Sequence, residues 1–227
     1  MPEARQFQLI AGHPALDFAN TLDRHTASGP VELISSYGDF LQFGIQAGLL
    51  TSAEARRLAG RVKPGEAERT LQVARALREA LERIFVAGAA GENPPSADLS
   101  LVNDAVAAAM RHRKLHRRAG AYAWQWEDMD SDAASPLWPI AFAAGELLVS
   151  DQAGRVRRCE CETCQWLFLD TSKNRSRKWC DMQVCGNRMK ARAYYRRQVR
   201  RRRGNLRPRR RPPSPAATSV LAGDRRP

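Results

Sequence analysis

The sequence is poor in aromatic residues, in histidine and in lysine. Only 7% of its 227 residues are aromatic, so an apolar core would be built largely from Ala, Leu and Val. No run approaches the roughly 18 consecutive apolar residues of a membrane span, and no membrane partner is expected. The N-terminus, Met1-Pro2-Glu3-Ala4-Arg5, lacks a basic segment followed by an apolar one, so no secretory signal is read and the chain is expected in the cytoplasm. Neither a glycine-rich phosphate loop nor a nucleophile motif occurs, which argues against an enzyme. The four histidines stand at His13, His25, His112 and His116, and residues 1–158 hold no cysteine at all.

What is present is charge of one sign in one place. The net charge is +13, but residues 1–154 hold 15 basic and 19 acidic side chains, whereas residues 155–211 hold 20 basic and only 4 acidic ones. Such asymmetry points to a polyanion-binding segment joined to a neutral-to-acidic body. A solvated basic tail would account for Arg200 onward. It would not account for the cysteines and aromatics that precede it.

Hydrophobic spacing predicts a mainly helical N-terminal domain, 1–154. Helices are expected over Pro14 to Leu22, Val31 to Gly48, Thr51 to Arg61, Pro64 to Ala87, Ala97 to Met110 and Pro136 to Val149. Thr51 and Glu54 form a capping box. Leu101, Val102, Ala105 and Ala109 are expected to be buried. Arg113 to Glu127 alternates as a β-hairpin, which puts Tyr122, Trp124 and Trp126 on one face. Trp124, Trp126 and Trp138 read as core. Residues 204–227, rich in Arg, Pro and Ser, read as a disordered basic tail.

All five cysteines, Cys159, Cys161, Cys164, Cys180 and Cys185, fall within one short segment. In a reducing cytosol such clustering favours a metal over disulfides, redox thiols or inert cysteines. A structural zinc ion takes about four thiolate or imidazole ligands, and with every histidine elsewhere an all-thiolate site is the economical choice. Spacing leaves the first ligand open: Cys161-x2-Cys164 is the commoner knuckle, but Cys159-x4-Cys164 mirrors Cys180-x4-Cys185. Trp166 to Asp170 reads as a strand, Thr171 to Arg177 as a basic turn, and Asn187 to Arg203 as a basic helix. The fold class is therefore α+β: a helical domain with a small β-hairpin, then a four-cysteine zinc module, 155–203, made of a β-hairpin and a basic helix.

The tetrapeptide Cys185-Gly186-Asn187-Arg188, with Cys159-x4-Cys164, Trp166 to Asp170, Thr171 to Arg177, Trp179-Cys180 and Lys190-Ala191-Arg192, resembles the CGNR zinc-finger family. That resemblance implies one Zn(2+) per chain, held by Cys159, Cys164, Cys180 and Cys185, with Cys161 an addition. Gly12-His13-Pro14-Ala15-Leu16-Asp17-Phe18-Ala19-Asn20-Thr21-Leu22 resembles the signature of the ABATE domain, the usual partner of that finger. The pair implies a stress-induced transcription regulator.

On this reading Lys173, Arg175, Arg177, Lys178, Asn187, Arg188, Lys190, Arg192 and Arg196 are the candidate nucleic-acid contacts. Asn187 and Arg188, at the start of the helix, have side chains suited to adenine and guanine, though Asn187 would equally serve as a helix cap. Gly186 is expected to mark a backbone conformation closed to other residues. The expected partner is double-stranded DNA; RNA binding and a zinc-stabilised protein adaptor are the alternatives. Asp17, Asn20 and Thr21 would line a small-molecule effector pocket, although a cap or buried polar contact is the simpler role for His13 and Asp17. Homo-oligomers are compatible with this reading.

Overall fold

A computed structural model of the chain describes residues 5–23 and 29–205, with side chains as far as Arg200. It divides into two units, Met1–Met189 and Lys190–Pro227.

In the larger unit, His13 caps the first helix, α1 (Pro14–Ala19), by accepting the Ala15 N–H at 3.3 Å on Nδ1. Pro14 occupies the first helical position, where its missing donor costs nothing. The helix ends three residues before the expected Leu22. There the chain enters a strand, β1 (Leu22–Asp23), which pairs antiparallel with β2 (Val31–Glu32). The helix expected from Val31 therefore starts late, as α2 (Tyr37–Gln46). The reason is local: the Ser36 N–H donates to Asp39 Oδ2 at 2.9 Å and the Asp39 N–H to Ser36 Oγ at 3.1 Å, a capping box that fixes the start.

The Thr51–Glu54 box opens α3 (Ser52–Arg61) as its spacing predicts, with the Glu54 N–H donating to Thr51 Oγ1 at 3.2 Å. α4 (Pro64–Ala90) follows, closed by Gly91 in the left-handed region at φ 74°, the usual end for a helix whose next residue must reverse. α5 (Ser96–Met110) leads into β3 (Arg113–Arg118) and β4 (Ala121–Trp126), and α6 (Leu137–Val149) completes the helices of this unit. A 3-10 turn then feeds β5 (Val156–Arg158), which pairs antiparallel with β6 (Leu167–Leu169).

The main core gathers Phe18, Phe40, Phe43, Leu77, Leu81, Ile140 and Leu147, together with Val156, Leu167 and Leu169 from β5 and β6. The cysteine-bearing segment thus shares its apolar floor with the helices. Arg78, 3% exposed, crosses this core and forms a two-pronged ion pair with Glu32 at 2.6 and 2.7 Å. Burial opposes the Glu32 charge, but Arg78 outweighs it and holds the carboxyl below its ordinary range.

Two burial expectations fail. On α5 Val102 and Ala109 are buried, but Leu101 is exposed and Ala105 only half-buried. Trp138 is core and Trp126 partly so, whereas Trp124 is exposed. Only the base of the β3–β4 ribbon rests on protein: the Arg113 guanidinium lies 3.7 Å from the Phe142 ring centroid and 4.8 Å from that of Trp126.

The second unit is described as the continuation of helix α7 (Asn187–Asn205) from Lys190. Most of the expected disordered tail, from 206 onward, lies outside the described residues.

Candidate metal centre and basic helix

Two loops build the centre. After β5 the Cys159 N–H donates to Trp166 O at 2.8 Å, and between them the chain folds into a knuckle, with the Cys164 N–H on Cys161 O at 2.9 Å. The Trp166 N–H then points at Cys164 Sγ from 3.4 Å.

Asp170 at the end of β6 is fully buried and shapes the second loop. It accepts the Ser172 N–H at 2.9 Å and the Arg177 N–H at 3.0 Å. Burial opposes its charge, but bonds from Ser172 and the Arg177 amide hold its carboxyl below the usual range. The returning chain presents Lys178 O to the Glu160 N–H at 2.9 Å, which brings Cys180 beside the first knuckle. Asp181 caps a π-helical turn, Met182–Gly186, by accepting the Val184 N–H at 2.6 Å. That turn delivers Cys185 and runs directly into α7.

The Sγ atoms of Cys159, Cys164, Cys180 and Cys185 all lie within 4.8 Å of one another. Cys164 and Cys180 are 3.5 Å apart, and Cys180 and Cys185 3.7 Å. A regular tetrahedron with metal–sulfur bonds of about 2.3 Å has edges of about 3.8 Å, so the spacing fits zinc. None of the five cysteines is in a disulfide. Bonds from the Cys164 and Cys180 thiols hold Cys159 well below the ordinary thiol range, whereas burial pushes Cys185 up. Four buried sulfurs at this spacing cannot all ionise without a cation among them. Cys161 is buried but outside the cluster, with Sγ 3.6 Å from Thr163 Oγ1. The four sulfurs that converge are those of Cys159, Cys164, Cys180 and Cys185, which could hold a metal ion, and Cys161 is not among them.

Gly186 is constrained by packing. It is not among the residues of positive φ, contrary to expectation. A Cβ there would collide with Met182 Sδ and stand 3.3 Å from Trp179 Cε3.

The candidate contact residues fall into different environments. Lys173 and Arg175 are exposed on the turn after Asp170. Arg177 braces the second loop: its Nε donates to Trp179 O at 2.8 Å, its Nη2 donates to Cys180 O, and its guanidinium lies 4.8 Å from the Phe168 ring centroid. Lys178 pairs with Glu160 at 3.2 Å. Asn187 is exposed and already helical, at φ −66° and ψ −39°, so the capping role belongs to Asp181. Arg188 is half-buried and donates from Nη1 to Thr163 Oγ1 at 3.1 Å, tying the helix start to the first knuckle. In the second unit Lys190 and Arg196 are exposed and Arg192 is half-buried.

Asp17, Asn20 and Thr21 are 9%, 4% and 2% exposed, and their polar groups are engaged within the fold. Asp17 accepts the Ala11 N–H at 2.9 Å; burial raises its carboxyl to about 6 against the pull of the Ala11 and Ile10 amides. Asn20 donates to Leu167 O at 2.8 Å and accepts the Leu167 N–H at 2.9 Å. Thr21 Oγ1 donates to Phe18 O at 2.8 Å and accepts from Arg78 at 3.3 Å. Asn20 thus ties the end of α1 to β6, Thr21 meets α4 through Arg78, and Asp17 makes the buried polar contact that is its simpler role.

Two family matches accompany this geometry. Residues 12–151 match ABATE, described as "Putative stress-induced transcription regulator", and residues 155–198 match the CGNR zinc finger. No curated protein matches the chain. The finger match and the four-thiol cluster together give the protein one zinc site. No helix among the described residues is long and apolar enough to cross a membrane.

Proposed function

The chain belongs to the ABATE family, and on that footing we propose that it is a zinc-dependent, DNA-binding transcription regulator working in the cytoplasm. In this reading residues 1–154 sense or assemble, residues 155–203 bind double-stranded DNA, and 204–227 add further positive charge. Zinc held by Cys159, Cys164, Cys180 and Cys185 would cross-link the two cysteine-bearing loops beyond the β5–β6 hairpin, which itself rests on the main core.

One observation carries the proposal. The metal loop launches α7, and no acidic residue follows Asp181 until Asp224. Arg188, Lys190, Arg192, Arg196, Arg197 and Arg200 lie along the helix with no carboxylate among them. A helix so charged gains little from intrahelical pairs, and phosphates are its natural counter-charge. Arg188, fixed by Thr163, is the best-supported donor for a base edge; Asn187 stands beside it. Lys173 and Arg175 would add phosphate contacts from the turn. Arg177 and Lys178 would contribute through the loop that they shape.

The test is a titration of the zinc-loaded chain against labelled duplex DNA, single-stranded RNA and no competitor polyanion. Duplex preference supports the reading. RNA preference would make this an RNA-binding protein, and absence of affinity for either would leave a zinc-held adaptor.

A further inference from the structure

The β3–β4 ribbon carries a second surface, independent of the reading of α7. From Arg113 to Trp126 there are four cations, Arg113, Lys114, Arg117 and Arg118, and no acid. Arg113 is engaged over the Phe142 and Trp126 rings. Lys114, Arg117 and Arg118 have no anionic partner among the described residues. Of the acids that follow the ribbon, Glu127 folds back on to His116 at 2.9 Å, on the face opposite the rings, while Asp128 faces His112 at 4.0 Å and Asp130 pairs with Arg57.

The register pairs Leu115 with Trp124 and Arg117 with Tyr122. Alternation along the strands puts these four on one face. That face is unusually open: Leu115 is 59% exposed, Tyr122 73% and Trp124 48%. The connection is a two-residue turn, with Ala119 at φ 46° and Gly120 at φ 86°. Positive φ at both positions is the type I′ geometry that keeps twisted strands in register to the tip. The rings therefore stand on a ribbon, about 6.7 Å apart along β4, and not on a loop.

We propose that this face binds single-stranded nucleic acid. Tyr122 and Trp124 stack on unpaired bases and Arg117, on the same face, neutralises a flanking phosphate, while Lys114 and Arg118, which alternation puts on the opposite face, reach the strand's phosphates round the ribbon's edge. Exposed rings interleaved with unpaired cations are the chemistry of a stacking platform. A duplex hides the faces of its bases, so it would use the cations and leave the rings idle.

The probe is a fluorescein-labelled oligothymidine, titrated into the full-length zinc-loaded protein. Two variants are compared with wild type: Tyr122→Ala with Trp124→Ala, and Lys114→Gln, Arg117→Gln and Arg118→Gln together. All are surface positions, and equal zinc content and thermal midpoints confirm the fold. The aromatic variant is expected to weaken oligothymidine binding about tenfold or more and to leave duplex affinity unchanged, and the cation variant to weaken oligothymidine binding as well. Unchanged oligothymidine binding in either variant would overturn the proposal, as would a parallel loss on duplex DNA in the aromatic variant. A wild-type dimer that the aromatic variant converts to monomer would instead make the face a protein–protein surface. If the reading of α7 fails, the duplex arm is flat in all proteins while the oligothymidine arm still reports on the ribbon.

Discussion

Asn20 and Leu167, 147 positions apart, are joined by a pair of hydrogen bonds in which the Asn20 amide both donates to and accepts from the Leu167 backbone. The side chain imitates a neighbouring strand for β6, and one residue pair on, the Leu169 N–H donates to Ala11 O at 2.8 Å. The metal-bearing hairpin is thereby tied to α1 independently of the metal.

That tie predicts how the protein responds to zinc removal. The amides of Leu167 and Leu169 should stay protected in hydrogen exchange on the metal-free chain, while those of Glu160, Cys164 and Gly186 exchange quickly. Asn20→Ala leaves two buried backbone groups unpaired and should destabilise the fold by about 2–4 kcal/mol. Uniform loss of protection from 156 to 186 on chelation would show that zinc alone holds β6.

Asp17 gives a pH dependence of definite sign. Burial raises its carboxyl from an ordinary 3.8 to about 6, so between those values the folded chain binds more protons than the unfolded one. Its contribution to stability is present at low pH and is lost as pH rises through about 6. Asp17→Asn keeps an acceptor for the Ala11 N–H and removes the titration. From pH 5 to 7, wild type should lose about 1 kcal/mol of stability relative to the variant, as measured by urea unfolding. Parallel profiles would mean that Asp17 does not titrate in this range.

The sequence made the zinc ligands and the long helices legible, for different reasons. Cys180 and Cys185 are marked by type and spacing, and α4 by an apolar stripe through Leu71, Leu77, Leu81 and Phe85 that any helix would bury. The late start of α2 is not legible, because Val31 and Leu33 continue a helical spacing while the pairing of Val31 with Asp23 is tertiary. Nor is the exposure of Trp124, because apolarity is visible in sequence whereas the presence of a wall to pack against is not. Asn20 suits an effector ligand by sequence because a polar side chain in a helical signature looks the same whether it faces a cavity or a distant backbone.

Gly186 is held small by its neighbours. Gly186→Ala should weaken zinc binding by no more than about tenfold, since the Met182 side chain is flexible and 52% exposed and can swing aside, leaving the Trp179 ring at 3.3 Å as the tighter neighbour. Adding Met182→Ala removes the colliding sulfur and should restore part of the loss. Competition with a chromogenic chelator reads both variants. Failure of the second substitution to rescue would place the constraint in the backbone or at Trp179.

Arg188 and the distal arginines should separate recognition from attraction. Arg188 is anchored to Thr163, so Arg188→Ala should cost about 1–3 kcal/mol on a selected duplex and relax sequence choice. Replacing Arg200 to Arg203 with Gln should weaken all duplexes alike and flatten the salt dependence. Equal weakening on selected and scrambled duplexes by Arg188→Ala would move base reading away from the helix start.

If the zinc-held basic segment engages duplex DNA through its phosphates, duplex affinity must depend both on salt concentration and on the metal, and a titration over salt with and without zinc reads both. For about 6–10 phosphate contacts, the zinc-loaded protein should lose about 10³–10⁵ in affinity between 50 and 200 mM salt. The chelated protein should bind far more weakly at low salt. A flat salt response, or equal binding with and without zinc, would contradict the account.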